Sequence, residues 1–327
     1  MKTRYQALAL LASALVATSA EEKSTVSFTI ENDSFFGTDR YYTHGFRLQY
    51  MHEPNSVPGW VASLLTNSPT AGMEVNRMRI GFALAQELYT PSNITRPGLI
   101  ENDRPYGAWL FGGLILRRAG KVGDGIPSMD EFELDLGVVG PYAHGEEVQT
   151  WWHDLTGYAE PRGWDNQLDN EPAIQFYFTR SIQAGFRTEN YWGLDIVPHA
   201  RAALGNVYLY GEIGTLFRAG YNLPAEYVIS PMESFSTHPS YNPPKWSFYA
   251  FAGADGRVVG RNIFLDGNTF EDSHSVDKEP FVADLRAGAA VRYGPVELVG
   301  SAVYRTREFE LQDKDESFLS ITLQYHF

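Results

Sequence analysis

The last nine residues, Leu319-Ser320-Ile321-Thr322-Leu323-Gln324-Tyr325-His326-Phe327, alternate strictly between apolar and polar side chains. A period of two residues is typical of a β-strand that separates an apolar environment from a polar one. In a transmembrane barrel, one face of such a strand contacts lipid and the other faces the lumen. A soluble β-sandwich could also contain one strand of this kind. The fold class therefore depends on whether the pattern recurs along the chain.

The pattern does recur, and in its clearest examples the ionisable residues are confined to one face. Together with the C-terminal segment the candidate strands number twelve, an even number that allows both chain ends to lie in the periplasm. The terminal Phe327 resembles the assembly signal of bacterial outer-membrane proteins. We therefore predict an all-β fold, a twelve-stranded antiparallel transmembrane β-barrel with a short helix in an extracellular loop. The five clear upstream segments are 26–31, 45–50, 78–85, 131–138 and 281–292, and the six weaker ones are 106–118, 172–186, 191–204, 206–221, 245–260 and 295–308.

The first twenty residues have the pattern of a secretory signal. Lys2 and Arg4 form a basic start, an apolar stretch runs from Ala7 to Ala17, and small residues precede position 21. The apolar stretch is too short to cross a bilayer as a helix. We therefore expect residues 1–20 to be a signal peptide and residues 21–327 to form the barrel domain.

Composition limits the possible partners. The formal net charge is −14, and removing two basic residues with the signal takes it to −16. Phosphate binding needs clustered Lys and Arg, so we expect no nucleic-acid partner. The chain has no Cys, which excludes disulfides and thiolate metal sites. An aromatic content of 14% and 30 Gly are compatible with a soluble β protein or an outer-membrane barrel.

The order of the strands assigns each connection to one end of the barrel. If the first strand runs outward, two connections on the periplasmic side, 53–76 and 222–244, are long for a barrel. A small helix is predicted from Pro58 to Thr66 within the first of them. The predicted outer connections are 33–41, 90–105, 140–172, 205–206, 261–279 and 309–315, and the remaining periplasmic ones are 119–130, 187–190 and 293–295.

The predicted loop 140–172 contains a short amphipathic helix, residues 145–157, which Gly157 closes. Gln149 and His153 lie one turn apart on one face, because a helix has about 3.6 residues per turn. Val148, Trp152 and Leu155 form a neighbouring apolar stripe. We expect the apolar stripe to pack on the barrel or on acyl chains, with Gln149 and His153 directed at a substrate. A solvated histidine in a loop helix is the alternative.

A second group of polar residues lies where the first two strands meet. The first strand ends in Glu31-Asn32-Asp33, and Thr43 begins the second. By parity Asn32 lies on the lipid-facing side, where an amide is costly unless it is covered or functional. The alternative is an ordinary turn, which Asn and Asp favour. Strand pairing should bring Asn32, Asp33 and Thr43 together at the outer rim.

The order and spacing of several motifs resemble the outer-membrane lipid A 3′-O-deacylase family over nearly the whole mature chain. The resemblance implies a twelve-stranded barrel with its site between the outer wall and a helix from an extracellular loop. It also implies calcium-dependent hydrolysis that releases the 3′-linked acyloxyacyl group of lipid A. The motifs are Glu31-Asn32-Asp33, Tyr42-Thr43-His44-Gly45, Tyr89-Thr90-Pro91-Ser92, Asp103-Arg104-Pro105-Tyr106, Gly137-Val138-Val139-Gly140-Pro141, and Glu147-Val148-Gln149 with His153, Gly157 and Trp164.

The resemblance also implies roles for individual residues. Asn32, Thr43 and His153 would be catalytic, with Gln149 beside the histidine, and Asp33 would bind the metal. Arg96 is the counterpart of the family's basic residues after the third strand and would contact the substrate. The family carries an acid shortly after the histidine; gapless spacing places Ala159 there, and the adjacent Glu160 is the candidate metal ligand.

Elementary chemistry agrees with these assignments. Ester hydrolysis needs a base for water and a group that stabilises the developing oxyanion. Histidine is the natural base near neutral pH, and calcium prefers oxygen ligands such as those of Asp33. The sequence contains no Gly-x-Ser-x-Gly elbow, so a serine hydrolase of that type has no support.

Two alternatives remain open at this point. One is a non-enzymatic outer-membrane barrel, a porin or adhesin, which would require an open, charge-lined lumen or a purely structural rim. The other is a barrel phospholipase. The favoured hypothesis is a monomeric, integral outer-membrane esterase that uses calcium and acts on the lipid A of lipopolysaccharide.

Overall fold

The computed structural model describes residues 24–68, 72–224 and 244–327. The predicted signal peptide, 1–20, lies outside the described residues, as does most of the predicted connection 222–244. Within the described part of the chain, no helix is long and apolar enough to cross a membrane.

The described residues form one antiparallel sheet that closes into a twelve-stranded barrel. The sixth strand is interrupted at Gln183, so its two parts both pair with the seventh strand. The first strand pairs with the second and with the last, and the sixth pairs with the fifth and the seventh, so the sheet has no free edge. The strands are β1 Thr25–Asn32, β2 Tyr41–Met51, β3 Met73–Thr90, β4 Gly107–Val122, β5 Ile126–Val139, β6 Glu171–Ile182 with Ala184–Arg187, β7 Trp192–Gly205, β8 Tyr208–Tyr221, β9 Trp246–Asn262, β10 Phe281–Tyr293, β11 Val296–Arg305 and β12 Glu316–His326.

The predicted fold class is confirmed, and one predicted connection is wrong. The chain does not leave the sheet at 119–130; β4 and β5 continue to a turn at 123–125. The charges of Arg117 and Arg118, near the end of the predicted strand, are paired across the ladder with Glu131 and Asp130, and the ladder continues beyond them. Gly123 and Gly125 then form the turn with positive φ angles of 52° and 94°.

Three α-helices occur in the described connections: α1 Gly59–Asn67, α2 Gly145–Thr156 and α3 Ile263–Asp266. The first matches the helix predicted from Pro58 to Thr66. Strand direction places α1 at one end of the barrel, after β2, and α2 and α3 at the other end, after β5 and β9. The helix predicted in the loop 140–172 is therefore present.

The lumen is filled rather than open. Ion pairs occupy it: Arg47 of β2 pairs with Glu133 of the non-adjacent β5 at 2.6 Å, and Arg305 of β11 pairs with Asp284 of the adjacent β10 at 2.9 Å. A cavity of about 140 Å³ remains among these charges. Beside it, an apolar plug closes the end of the barrel that carries α2 and α3. This plug comprises Tyr42, Tyr89, Trp109, Phe111, Ile263, Phe264 and Phe318 among other buried side chains.

The short helix α3 supplies the centre of this plug. Phe264 is completely buried and stacks on Tyr89 with ring centroids 4.0 Å apart. Asn262 caps the helix by accepting a hydrogen bond from the Phe264 amide at 3.0 Å. The plug therefore supports β2 to β4 from within at the same level at which α2 lies outside.

The plug yields a prediction for stability. Phe264→Ala should lower the free energy of unfolding by about 3–5 kcal/mol, because it removes a fully buried ring and leaves a cavity. Denaturant-induced unfolding in detergent micelles, followed by the heat-modifiable mobility of the barrel, measures this change. Phe270→Ala is the control, since Phe270 is 68% exposed. Equal stability of the two variants would show that the plug contributes little.

Candidate active site

The outward-facing side of β1 to β3 changes from apolar to polar at the end of the barrel that carries α2. Alternation along the strands places Asn32, His44 and Thr90 on this outer side. Apolar residues such as Phe28 and Leu48 lie on the same side farther along the strands. Asn32 is only 2% exposed and Thr90 is fully buried, although both point away from the lumen. Another part of the chain must therefore cover this corner of the wall.

A β-bulge aims Thr43 at the same corner. Tyr42 pairs with Tyr89 and His44 with Leu88, so Thr43 is the extra residue on β2. Bulges of this kind commonly redirect a side chain beside a functional site. The Thr43 hydroxyl lies 2.6 Å from that of Thr90. Sequence parity alone does not reveal that Thr43 and His44 share the outer face.

The β1–β2 loop folds back so that its acidic residues are held inside it. Asp33 is completely buried, and its Oδ2 accepts a hydrogen bond from the Arg40 amide at 2.9 Å. Among the described residues Asp33 Oδ1 has no hydrogen-bond partner. Burial raises the pKa of Asp33 to about 8. A buried carboxylate oxygen with no donor is the kind of atom that a bound cation would satisfy.

The helix α2 covers the polar corner, and it does so with its polar face. Gln149 and His153 are 1% and 4% exposed, whereas Leu155 is 66% exposed. Val148 does pack on the barrel wall, as expected, but Leu155 points outward. The approach is close because a Cβ on Gly145 would lie 2.6 Å from Ala108 of β4. The predicted pair therefore faces the wall, not open lipid.

Hydrogen bonds make this burial of polar groups possible. Gln149 Oε1 accepts from the Trp164 indole at 2.8 Å, and Gln149 Nε2 donates to Asp39 Oδ1 at 3.3 Å. Around them, Trp164, Tyr106 and Leu88 form an apolar cluster that attaches the 140–172 segment to β3 and β4. Gln149 thus links α2 both to its own loop and to the β1–β2 loop.

His153 is held by one contact at each ring nitrogen. Nδ1 lies against the carbonyl oxygen of Ala159, which can only accept, so Nδ1 carries the proton. Nε2 lies 3.2 Å from Asp39 Oδ2. In a neutral ring, the nitrogen with the free electron pair is therefore Nε2, beside Asp39.

Asp39 is the functional candidate that sequence reasoning missed. Burial raises its pKa to about 6, while the charge of His153 and the hydrogen bond from Gln149 act in the opposite direction. Asp39 lies in the loop between β1 and β2, six residues after Asp33, and an acidic residue in a loop gave no signal by itself. Its link to Asp33 is local, because Arg40, which follows Asp39, donates its amide to Asp33.

Contacts connect the end of β1 and the start of β2 with α2 and the segment that follows it. His44, paired in register with Asn32, lies 5.9 Å from the Trp152 ring, next to His153 in the chain. The Tyr158 hydroxyl donates to the Ser34 carbonyl at 3.4 Å. The structure thus brings Asn32 and Asp33 into the neighbourhood of α2, as the resemblance implied.

Two other predicted residues lie at the surface of this region. Arg96 is exposed in the loop after β3, which is tied to the 157–166 segment by a hydrogen bond from the Arg162 amide to Ile94. Glu160 forms an exposed ion pair with Arg162 at 3.1 Å. Arg96 is exposed, whereas the charge of Glu160 is already neutralised by Arg162.

A different possible metal group lies in the lumen. Ligand atoms of His199, Glu212 and Asp255 are within 4.8 Å of one another. Asp255 is, however, paired with both His199 and Arg286, each at 2.8 Å. These pairs satisfy the carboxylate without a cation, and the group is not connected by these contacts to His153.

Comparison with known proteins identifies the family. The model of the family described as outer membrane protein LpxR matches residues 5–327. The chain belongs to this family. It is therefore an integral barrel of the outer membrane, and membership in the LpxR family supports a lipid A deacylase, a hydrolase.

The fold agrees with that of a solved structure of this family. LpxR from Salmonella typhimurium superposes with a TM-score of 0.74 at 22% sequence identity, covering 93% of this chain and 100% of that one. The β domain of the Bordetella autotransporter BrkA gives a TM-score of 0.46 at 11% identity, covering 94% and 100%. The translocator domain of NalP from Neisseria meningitidis gives 0.38 at 9% identity, covering 100% and 95%. No curated protein matches the chain.

The contact between Asp39 and His153 predicts a pH effect. Asp39→Asn should lower kcat at neutral pH by about tenfold to a hundredfold, as loss of an orienting carboxylate does elsewhere. The acid limb of the pH–rate profile should also change, because the Asp39 carboxyl, whose pKa burial raises to about 6, is no longer present to titrate. Deacylation of purified lipid A across a pH series measures both effects.

Asp154→Asn is the matched control, because Asp154 lies on α2 with an exposed side chain. It should leave both kcat and the acid limb unchanged. An unshifted profile for Asp39→Asn would mean that Asp39 does not act on His153.

Proposed function

We propose that this protein removes the 3′-linked acyloxyacyl group from the lipid A of lipopolysaccharide, with His153 activating the attacking water. The observation that carries the proposal is the buried polar corner between α2 and the outer wall. His153, Gln149 and Asp39 are in contact there, beside Asn32 and the unpaired oxygen of Asp33. A reaction site on the outer wall borders the membrane in which the substrate resides.

His153 acts as general base and then as general acid. Nε2 takes a proton from water as the water oxygen attacks the ester carbonyl carbon. When the carbon–oxygen bond to the sugar breaks, the same proton passes to the departing 3′ oxygen. The products are a free 3′-hydroxyl and the released fatty acid, so atoms and charge balance. The Ala159 carbonyl holds Nδ1–H throughout and keeps Nε2 available.

Asp39 and Gln149 position the base. The carboxylate of Asp39, 3.2 Å from Nε2, stabilises the imidazolium that forms when the ring takes the proton. The side-chain amide of Gln149 donates a hydrogen bond from its Nε2 to Asp39. The orientation of that amide is fixed by the Trp164 indole, which donates to its Oε1. Hydrogen-bonded support of this kind keeps the reacting groups in line without reorganisation during the reaction.

Asn32 at the end of β1 and Thr43 of β2 stabilise the negative charge that develops on the ester carbonyl oxygen. Asn32 Oδ1 is engaged by the Ser34 amide at 2.8 Å, which turns its Nδ2 donor toward His44 and the corner. The Thr43 hydroxyl, redirected by the bulge, is a second donor at this level. Donors that are fixed before the reaction are the effective ones for an oxyanion.

Calcium fits this corner through Asp33. The buried Oδ1 of Asp33 lacks a donor, and an oxygen ligand suits a hard cation. When bound, calcium would polarise the ester carbonyl as a Lewis acid. Glu160 is retained as a second ligand only if it leaves its exposed pair with Arg162.

The outer surface around α2 suits lipid A. Trp151 and Leu155 are 62% and 66% exposed on the side of α2 away from the barrel, where acyl chains would lie. Arg96 stands exposed in the adjacent loop and would meet a phosphate of the substrate. The filled lumen argues against a porin, because ion pairs and the aromatic plug occupy it.

His153 provides the direct test of the mechanism. His153→Gln should reduce kcat by ~10²–10⁴-fold, the usual contribution of general-base assistance. The measurement is release of the acyloxyacyl group from purified lipid A by detergent-solubilised protein. His144→Gln is the control, because His144 has a 63% exposed side chain at the start of the same helix.

Both variants should keep the heat-modifiable mobility of a folded barrel. If folded His153→Gln retains the activity of the His144→Gln control, the proposed mechanism is wrong. Mass spectrometry of lipid A from cells with and without the protein tests the reaction itself. Loss of an acyl chain from phospholipid instead would favour the phospholipase alternative.

The role of Asp33 is tested by calcium titration. Asp33→Asn should raise the calcium concentration for half-maximal activity by at least about tenfold, because the site loses the negative charge of the buried carboxylate whose Oδ1 has no hydrogen-bond donor among the described residues. Asp154→Asn should leave that concentration unchanged. Full wild-type activity after exhaustive chelation would rule out a calcium requirement.

A further inference from the structure

The strand β1 stops short of its two neighbours at the end of the barrel that carries α2. Its last residue, Asn32, pairs with His44 of β2 on one side and with Leu319 of β12 on the other. Beyond these pairs, residues 41–43 of β2 and 316–318 of β12 continue with no part of β1 between them. A buried amide of β2 that points toward this gap needs a partner other than a strand, because buried backbone groups are nearly always hydrogen-bonded.

Glu316 of β12 supplies that partner from the luminal side. Its Oε1 accepts a hydrogen bond from the Tyr42 amide at 2.5 Å, across the space that β1 has left. The side chain of Tyr42 spans the same space, since its ring lies 4.9 Å from that of Phe318 and its hydroxyl donates to Glu31 at 2.8 Å. Tyr42 is therefore held at its backbone by Glu316 and at its hydroxyl by Glu31.

The hydrogen bond of Glu316 goes to the backbone, whereas the neighbouring cation pairs elsewhere. Glu316 is only 3% exposed, and burial of a carboxylate is costly unless it is paired or hydrogen-bonded. Its register partner on β11, Arg305, forms its ion pairs with Asp284 at 2.9 Å and with Glu308 at 3.8 Å. A hydrogen bond from a backbone amide to a carboxylate is charge-assisted and therefore strong. The bond between Glu316 and Tyr42 is thus the contact that fixes β2 at this point.

The amide that Glu316 holds belongs to the residue before the β-bulge. Thr43, the extra residue of the bulge, follows Tyr42 directly. A bulge interrupts the ladder, so other contacts must fix its backbone. On the outer side the Thr43 hydroxyl lies 2.6 Å from that of Thr90, and on the luminal side Glu316 holds the backbone. The direction of the Thr43 side chain therefore depends on both contacts.

We propose that Glu316 is a positioning residue for deacylation, which fixes the bulge from inside the barrel and thereby aims the Thr43 hydroxyl at the developing oxyanion. This inference rests on the proposed function, in which Thr43 donates to that oxygen. Glu316 does not touch the substrate, because it lies on the luminal side of the wall. A displacement of about 1 Å at a reacting group can cost ~10²-fold in rate, so a luminal contact can control chemistry on the outer wall.

Two substitutions of Glu316 separate the contact from the charge. Glu316→Gln keeps an oxygen that can accept from the Tyr42 amide, whereas Glu316→Asp keeps the charge but is one methylene too short. With purified lipid A as substrate, Glu316→Asp should lower kcat by about tenfold to a hundredfold. Its KM should change by less than about twofold, because the Thr43 hydroxyl acts on the transition state. Glu316→Gln should keep kcat within about threefold of wild type, since the acceptor is retained.

A double-mutant cycle with Thr43→Val tests whether Glu316 acts through the hydroxyl. In the Thr43→Val protein, Glu316→Asp should lower kcat by less than about a further threefold, because no hydroxyl remains to be positioned. Glu308→Asp is the matched control, since Glu308 is a buried carboxylate at the same end that pairs with Arg104 at 3.0 Å. It should leave kcat unchanged, and all variants should keep the heat-modifiable mobility of a folded barrel.

Amide hydrogen exchange over residues 41–44 tests the contact without an activity measurement. Glu316→Asp should exchange at least about tenfold faster there, whereas Glu316→Gln and Glu308→Asp should exchange like wild type. Unchanged exchange in Glu316→Asp would overturn the inference, whether or not the protein deacylates lipid A. Equal loss of kcat in Glu316→Gln and Glu316→Asp, or an equal effect of Glu316→Asp with and without the Thr43 hydroxyl, would overturn it and leave the deacylase function standing. A wild-type protein that does not deacylate lipid A would overturn the proposed function, and with it the role of Glu316, whatever the exchange rates.

Discussion

The burial of the polar face of α2 against the outer barrel wall is the interaction on which the site depends. A lipid-facing wall normally carries apolar side chains, because unsatisfied polar groups are costly in hydrocarbon. Asn32 and Thr43 depart from that rule at one corner, and both are buried. They are tolerated because Gln149 and His153 cover them with their own polar atoms satisfied by Trp164, Asp39 and Ala159.

The inside of the barrel supports this arrangement from the other side of the wall. The apolar plug around Phe264 and Tyr89 lies behind the ends of β2 to β4, so the strands that carry Thr43 and Thr90 are packed on both faces. A wall packed on both faces holds its side chains in fixed rotamers, which positions reacting groups accurately. In the described part of the barrel, this packing and the luminal ion pairs occupy the space that an open channel would need.

The same rule accounts for the opposite end of the barrel. Arg118, Asp130 and Arg180 also break the apolar pattern of the outer wall, and a helix again lies over them. There too the charges are paired within the protein, Asp130 with both Arg118 and Arg180.

The sequence by itself determined the barrel, because period-two alternation is a local property and is repeated along the chain from residue 26 to Phe327. It also determined the helix that bears Gln149 and His153, through helical spacing and the closing Gly157. The sequence did not predict that β4 and β5 continue through 119–130, because that extension depends on their pairing with each other as far as Val122 and Ile126. Tertiary structure alone decided that α2 presents its polar face to the wall, that Asp39 reaches His153, and that the bulge at Thr43 turns its hydroxyl outward. Each of these depends on contacts between segments far apart in sequence, where burial and hydrogen bonding override the local periodicity.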